Sequence, residues 1–204
     1  YDSGAPSGVC VSGRPGGGST STTHGSLGTG DGGYSLSFSP ALGVANTSSF
    51  LGQYTPNTEY TLTLKKTGDV AFGGFAITPL GAGSGSAITA TSVGAQNLGF
   101  NCDGGEFGVT HTTSNTVTSV EGKWTSPASG TARIRYTVMD GTKDTGNKFY
   151  IKTITLEGGS TAHCNGVPPG SYTLNGVQTV CQPGYTCAGA NASRSPCSTG
   201  TYTA

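Results

Sequence analysis

The sequence predicts an all-β protein, an antiparallel β-sandwich of about eight or nine short strands, on three observations. Gly occupies 36 of the 204 positions and Thr is abundant, and both residue types lower helix propensity. No set of apolar residues recurs at the spacing of an amphipathic helix. Apolar residues instead alternate with polar ones in short runs, and Gly, Pro, Asn and Asp separate these runs about every ten residues.

The strand between Thr131 and Met139 shows this alternation most clearly. Because successive side chains of a strand point to opposite faces, one set faces the core and the other faces water. The set predicted to face the core is Ala132, Ile134, Tyr136 and Val138. The set predicted to face water is Thr131, Arg133, Arg135 and Thr137.

The predicted core is centred on Trp124, the single tryptophan, which precedes a Pro-Ala-Ser-Gly turn. A buried Trp removes more surface from water than any other side chain here, and Tyr136 and Phe75 are predicted to share the core with it. The other strands are predicted at residues 34–38, 60–64, 70–77, 88–93, 108–112, 116–120 and 149–156, with a short segment at 50–54 leading into a turn. Gly73-Gly74 predicts either a bulge in the strand that contains it or a close approach of another backbone.

Composition divides the chain into two parts. Residues 1–158 are predicted to form the sandwich, beginning with an irregular arm rich in Gly, Ser and Thr over residues 1–33. Residues 159–204 hold four of the six cysteines, and aliphatic residues become rare. A segment of this size with little apolar material needs covalent bonds to hold a shape, so the sequence predicts a disulfide-stabilised tail.

Six cysteines without paired CxxC spacing predict disulfides and an oxidising compartment. The four cysteines of the tail are predicted to form two bonds, and the sequence does not choose among the three pairings. They are Cys164, Cys181, Cys187 and Cys197. Cys10 and Cys102 are then predicted to pair across the sandwich, which in the chain-entropy model stabilises the fold by roughly 4–5 kcal/mol.

Charge and hydropathy exclude several partners. The net charge is +0, with 10 basic and 10 acidic residues, so nothing predicts binding to nucleic acid or to an anionic membrane. No apolar stretch approaches the roughly 18 residues that span a bilayer. The chain starts without Met and without an apolar leader, from which we expect an extracellular protein whose signal peptide has been removed.

No pattern predicts catalysis, a cofactor or a metal site. The histidines are His24, His111 and His163, and none accompanies a nucleophile in a recognisable setting. His111 on a strand is interpreted as a hydrogen-bonded structural histidine, and one His beside Cys164 does not make a zinc site. The run Asp140-Gly141-Thr142-Lys143-Asp144 resembles a loose calcium loop but lacks the bidentate Glu, which favours a hairpin turn.

Two asparagines fit the N-glycosylation acceptor pattern, Asn46 before Thr47-Ser48 and Asn191 before Ala192-Ser193. Both lie in predicted loops. Covalent glycans at these positions would help a protein with few charges to stay soluble.

Several segments together resemble one known family, the reeler domain. In chain order they are 1–7 followed by Cys10, Tyr54-Thr55-Pro56, 60–64, Phe72-Gly73-Gly74-Phe75-Ala76-Ile77, Cys102, Val109-Thr110-His111 and 124–131. The chain departs from the family pattern in two places. A Met-Pro-x-His segment usually follows the first Cys, but this chain has Ser12-Gly13-Arg14-Pro15-Gly16 there. Gly73 stands where Arg is usual. The resemblance covers about residues 1–157, and the tail is similar to the short cysteine repeats of ephrin-receptor type.

The resemblance implies a fold and a way of working. Reeler domains stand in reelin, F-spondin and insect defense proteins, so the family implies a secreted, immunoglobulin-like sandwich that serves adhesion, matrix contact or microbial recognition without catalysis. The leading hypothesis is therefore a secreted structural or adhesive glycoprotein that acts through protein–protein contacts and self-assembles head to tail into extracellular fibres. The alternative is a recognition module that binds microbial or matrix glycans, and a third hypothesis, a hydrolase dependent on His111, is disfavoured.

Overall fold

The structure, a computed structural model, describes residues 5, 9, 25–43, 45, 48–101, 104–112, 116–140 and 148–158, and the backbone of four short strands between 171 and 196. The chain divides into two compact units, residues 1–158 and 159–204. All six cysteines, the acceptors Asn46 and Asn191, and His24 and His163 lie outside the described residues.

The first unit is an immunoglobulin-like β-sandwich, and the described residues form eleven strands. They are β1 Ser26–Leu27, β2 Tyr34–Ser39, β3 Gly52–Tyr54, β4 Glu59–Lys66, β5 Phe75–Pro79, β6 Thr89–Ala90, β7 Ala95–Asn101, β8 Phe107–His111, β9 Ser119–Thr125, β10 Thr131–Asp140 and β11 Lys148–Gly158. Within this part of the chain, Val9 is the one residue in helical conformation. The all-β prediction is confirmed.

Two sheets make up the sandwich. The larger has the order β1-β11-β10-β5-β8-β7, with β3 also pairing with β11, and the smaller has the order β2-β4-β9-β6. The long ladders are antiparallel, as predicted, and β10 and β11 remain in register from Thr131 opposite Glu157 to Asp140 opposite Lys148. The two short pairings of β11 with β1 and β3 are parallel, which no sequence pattern indicated.

The second unit contains two short hairpins. Strand β12, Ser171–Leu174, pairs antiparallel with β13, Val177–Val180, and β14, Tyr185–Thr186, pairs antiparallel with β15, Ser195–Pro196. Asn175-Gly176 separates β12 from β13 in the sequence, and this dipeptide is a strong signal for a two-residue hairpin turn.

Trp124 lies in the centre of the sandwich with no solvent-exposed surface. Its ring contacts those of Tyr54 and Tyr60, with centroids 6.1 and 5.7 Å away. The indole N–H is satisfied as well, because Nε1 donates to the carbonyl oxygen of Ser84 at 2.9 Å. Phe75 and Tyr136 belong to the same buried cluster. A large aromatic side chain is thus buried without leaving an unpaired donor.

The loop that receives the indole is itself bonded to the larger sheet. The Ser84 hydroxyl donates to the carbonyl oxygen of Leu80, and the backbone N–H of Arg133 in β10 donates to Ser84 Oγ at 3.2 Å. Leu80 N–H donates in turn to the Arg133 carbonyl at 2.8 Å. These bonds fix Ser84, whose carbonyl oxygen accepts the indole N–H of Trp124, against β10.

Several strands differ from the prediction, and β5, β7 and β9 show why. Strand β7 was not predicted, because Ala, Asn and Gly in its sequence have low strand propensity and pairing with β8 stabilises the strand. Strand β9 begins at Ser119 rather than near residue 116 and includes Trp124, and β5 begins at Phe75 rather than at residue 70. In each case, pairing with a neighbouring strand sets the boundary.

The face of the larger sheet that points away from the core is partly covered. Thr78, Thr110 and Thr137 lie on this outer face, yet they are 4, 2 and 4% exposed. The backbone N–H of Ala5 donates to Thr110 Oγ1 at 3.0 Å, which places a piece of the N-terminal segment on this face. The prediction that Thr137 faces water is therefore wrong, because strand alternation cannot reveal a further layer of chain outside the sheet.

Replacing Gly85 with Ala should show how tightly the chain encloses Trp124. A Cβ at residue 85 would overlap Trp124 Nε1 and the Thr125 carbonyl oxygen, whereas a Cβ at Gly83 would meet nothing within 4 Å. Both glycines have positive φ, +95° and +87°, so Ala suffers similar backbone strain at each. We expect Gly85→Ala to lower the free energy of unfolding by about 2 kcal/mol more than Gly83→Ala in urea denaturation. Equal losses would contradict the close enclosure.

Candidate functional site

The loops at one end of the sandwich form the candidate site. Tyr34 begins β2 opposite Lys66 at the end of β4, and Asp140 ends β10 opposite Lys148 at the start of β11. These ends of the two sheets lie at the same end of the sandwich, and the loops that connect the strands lie together there. We call this region the loop end and define it as residues 28–33, 66–74, 91–94 and 140.

An ion pair joins the two sheets at the loop end. Lys66 Nζ lies 2.9 Å from Asp140 Oδ1 and 3.0 Å from Oδ2, and the Tyr34 hydroxyl donates to Asp140 Oδ1 at 3.2 Å. The ammonium group also lies 5.2 Å from the centre of the Tyr34 ring, within the range of a cation–π contact. The side chains of Lys66 and Asp140 are 18 and 32% exposed, so water screens this pair less than a surface pair.

The loop of residues 28–33 packs on Tyr150 of β11. A Cβ at Gly28 or Gly32 would overlap the Tyr150 ring, and Gly32 has a φ of +63° that favours glycine. Asp31 in this loop accepts the Gly33 N–H at 3.0 Å and lies 3.3 Å from Lys152 Nζ. The Gly33 hydrogen bond, followed by Lys152, holds the pKa of the exposed Asp31 carboxyl below its usual range.

Two tyrosines beneath these loops have raised pKa values. Burial, followed by the nearby Asp140 carboxylate, raises the pKa of Tyr34 well above its usual value. Burial raises the pKa of Tyr136 to about 12, with a smaller contribution from Asp31. The Tyr136 hydroxyl donates to the Tyr34 carbonyl oxygen at 2.8 Å, so a side chain of the larger sheet holds the first residue of β2.

The loop end also presents apolar side chains to water. Val93 follows β6 and is 97% exposed, and Val70 follows β4 and is 47% exposed. Val117 lies nearby, since a Cβ at Gly94 would come within 3.0 Å of its side chain. Apolar side chains on loops that a rigid scaffold holds are typical of contact surfaces.

His111 is packed inside the larger sheet. It is 9% exposed, its Nδ1 lies 3.3 Å from the Phe75 N–H nitrogen, and its ring centroid lies 6.0 Å from that of Phe75. Thr110 Oγ1 lies 3.2 Å from the same Nδ1. Residues 141–144 of the calcium-like run lie outside the described residues, and Asp140 at its start is engaged by Lys66 and Tyr34.

In the part of the chain that the structure describes, no three His, Cys, Asp or Glu side chains gather in a way that could hold a metal ion. No helix there is both long enough and apolar enough to cross a bilayer.

Sequence reasoning did not find the contacts that build the loop end. Tyr34 begins the first predicted strand and Lys66 is the second residue after the strand predicted at 60–64, but nothing in the sequence connects either residue with Asp140. The alternation that buries Tyr34, Leu36, Leu62 and Leu64 was detectable. The ion pair depends on the register of two sheets, and that register is a tertiary property.

The described fold defines the class of protein, an immunoglobulin-like β-sandwich whose loops gather at one end. The sequence model of the Reeler domain matches residues 46–157, which is more than half of the chain, and the chain belongs to the Reeler domain family. The match confirms the predicted family.

Solved structures similar to this chain include three of F-spondin. The Reelin-N domain of F-spondin is 19% identical with a TM-score of 0.46, covering 66% of this chain and 93% of that chain. Two structures of the human F-spondin reeler domain are 18% identical, with TM-scores of 0.46 and 0.43. They cover 69 and 68% of this chain and 100 and 98% of their own. Among curated proteins, no sequence matches this chain significantly.

The buried tyrosines predict how stability depends on alkaline pH. A Tyr whose folded pKa is raised holds its proton more tightly in the folded state, so stability is complete below pH 10 and falls as pH rises toward 12. We expect Tyr136→Phe to cost about 1 kcal/mol at pH 7 through the lost hydrogen bond to Tyr34. Between pH 10 and 12 the variant should lose stability more slowly than the wild type, by up to about 1.4 kcal/mol per pH unit.

Urea unfolding of both proteins at several pH values measures this difference. All other ionisable groups are common to both proteins, so the difference isolates Tyr136. Identical slopes in the two proteins would show that the Tyr136 hydroxyl titrates as in the unfolded chain.

Proposed function

We propose that this protein is a secreted, non-enzymatic structural or adhesive module that acts through protein–protein contacts. Family membership supports the setting, since Reeler domains stand in extracellular proteins such as reelin and F-spondin. The neutral net charge supports a contact with another protein rather than with nucleic acid.

The observation that carries the proposal is the chemistry of the outermost strands. Strand β2 ends the smaller sheet with the sequence YSLSFS, and β7 ends the larger sheet with AQNLGFN. Neither strand contains a charged residue or a proline, the residues with which soluble proteins commonly prevent edge pairing. Such edges favour the addition of a strand from another chain.

We further propose that the contact includes self-assembly. Near the start of the sequence, Ala5 lies on the outer face of the larger sheet at Thr110, and the cysteine-rich unit stands at the other end of the sequence. If a surface of one copy binds a different surface of the next copy, and the rotation between copies does not close a ring, a filament grows. The N-terminal arm and the cysteine-rich unit of residues 159–204 are the two candidate segments for linking one copy to the next.

Sedimentation velocity and negative-stain electron microscopy of the purified full chain test the proposal. We expect concentration-dependent assembly, because the uncharged edges of β2 and β7 oppose pairing only weakly. A pull-down on insoluble microbial polysaccharide serves as the contrasting measurement. Monomers that bind the polysaccharide would instead support the alternative, a glycan-recognition module.

Covalent features of a secreted protein give a second test. We propose disulfides at Cys10–Cys102 and among Cys164, Cys181, Cys187 and Cys197, and N-glycans at Asn46 and Asn191. Under native, non-reducing conditions we expect a thiol-alkylating reagent to modify none of the six cysteines, and under reducing, denaturing conditions all of them.

Peptide mass spectrometry of material secreted from eukaryotic cells would identify both modifications. Asn46→Gln and Asn191→Gln should each remove one glycan from the intact mass, while Asn57→Gln, outside the acceptor pattern, should remove none. Alkylation of Cys10 or Cys102 in the folded, untreated protein would contradict the first bond.

A further inference from the structure

We propose that β2 is a self-pairing edge, along which two copies of the chain join their smaller sheets about a two-fold axis at Ser37. The inference builds on the proposed protein–protein function and names one partner for it, a second copy of this chain. It rests on the direction of the backbone hydrogen-bonding groups of β2.

Hydrogen bonds to β4 show which groups of β2 remain for a neighbour. Thr67 N–H donates to the Gly33 carbonyl at 2.9 Å, which makes Gly33 and Thr67 a hydrogen-bonded pair. Because such pairs alternate along an antiparallel ladder, Ser35, Ser37 and Ser39 also bond to β4. The N–H and C=O groups of the residues between them, Tyr34, Leu36 and Phe38, then point toward the open edge of the sheet.

Described residues bond to these groups at Tyr34 and to none of them at Leu36 and Phe38. Tyr34 N–H donates to the Asp31 carbonyl at 3.0 Å, and the Tyr34 carbonyl accepts the Tyr136 hydroxyl at 2.8 Å. Among the described residues, none bonds to the outward-pointing N–H and C=O groups of Leu36 or Phe38. Within this part of the chain, the open part of the edge is therefore short and begins just after the loop end.

Two copies of this edge are complementary to each other. In an antiparallel pairing centred on Ser37, Leu36 of one copy lies opposite Phe38 of the other. Each of these residues would donate its N–H to the facing carbonyl and accept the facing N–H, so the groups left open at the edge are satisfied. A centre at Leu36 would instead place Phe38 opposite Tyr34, whose edge groups are already bonded within the chain.

The side chains of β2 favour the same pairing. Ser35, Ser37 and Ser39 are exposed, small and uncharged, so they neither obstruct nor repel a second β2. On the other face, Phe38 is partly exposed and packs against Tyr60 and Trp124, with centroids 6.2 and 6.4 Å away. The pairing would cover this ring with Leu36 of the second copy and extend the apolar core across the contact.

Charge at residue 37 tests the axis directly, because the two-fold places residue 37 beside its own copy. We expect the wild-type chain to form dimers in sedimentation equilibrium, and Ser37→Asp to raise the dimer dissociation constant about tenfold or more at low salt. Ser35→Asp is the matched control. It lies on the same strand and face, but residue 35 would lie opposite Ser39, so its dissociation constant should stay near that of the wild type.

A charge swap completes the test. Ser37→Lys alone should weaken the dimer as Ser37→Asp does, and an equimolar mixture of the two variants should dimerise at least as tightly as the wild type. Equal weakening by Ser35→Asp and Ser37→Asp, or a mixture that stays monomeric, would overturn the axis. A wild-type chain that is monomeric at about 0.1 mM would overturn self-pairing altogether, while polymers or a bound partner of different sequence would still support the proposed function.

Discussion

The burial of Trp124 is the constraint on which the rest of the sandwich depends. The indole lies between both sheets and contacts Tyr54 and Tyr60, so the sheets must pack closely where they meet it. Its N–H also needs an acceptor in a place that water does not reach, and the Ser84 carbonyl supplies it. The surrounding loop is fixed in turn, because Ser84 bonds to both Leu80 and Arg133.

At the loop end, hydrogen bonds and an ion pair hold the same two sheets together. There the contact is polar, since Lys66 and Tyr34 of the smaller sheet both bond to Asp140 of the larger one. Tyr136 crosses the interior to bond the Tyr34 carbonyl, which joins the apolar core to the polar cluster. Losing the buried Tyr136 hydroxyl would leave the Tyr34 carbonyl without this partner, so the bond helps to fix the start of β2. The later residues of β2 have no neighbouring strand on their outer side among the described residues.

The proposed function depends on the outermost strands of the two sheets. A sandwich always has outer strands, and the chemistry of those strands decides whether the protein stays single or joins another chain. On the larger sheet, β1 and β3 occupy two parts of the outer side of β11 through parallel pairing. On the smaller sheet, β2 has no such cover among the described residues, and serine and partly exposed Phe38 replace the charges that usually protect an edge.

The sequence by itself determined the all-β class, the Reeler family and the inward faces of β4 and β10, because alternation and local propensity are written into consecutive residues. It did not determine β7, in which Ala, Asn and Gly form a strand through pairing with β8, or the parallel partners of β11. The tertiary structure also decided that Thr137 is buried on an outward face and that Lys66 meets Asp140. These features depend on which distant segments pack together, and no local pattern records that choice, since it follows from the summed packing and hydrogen bonding of the whole sandwich.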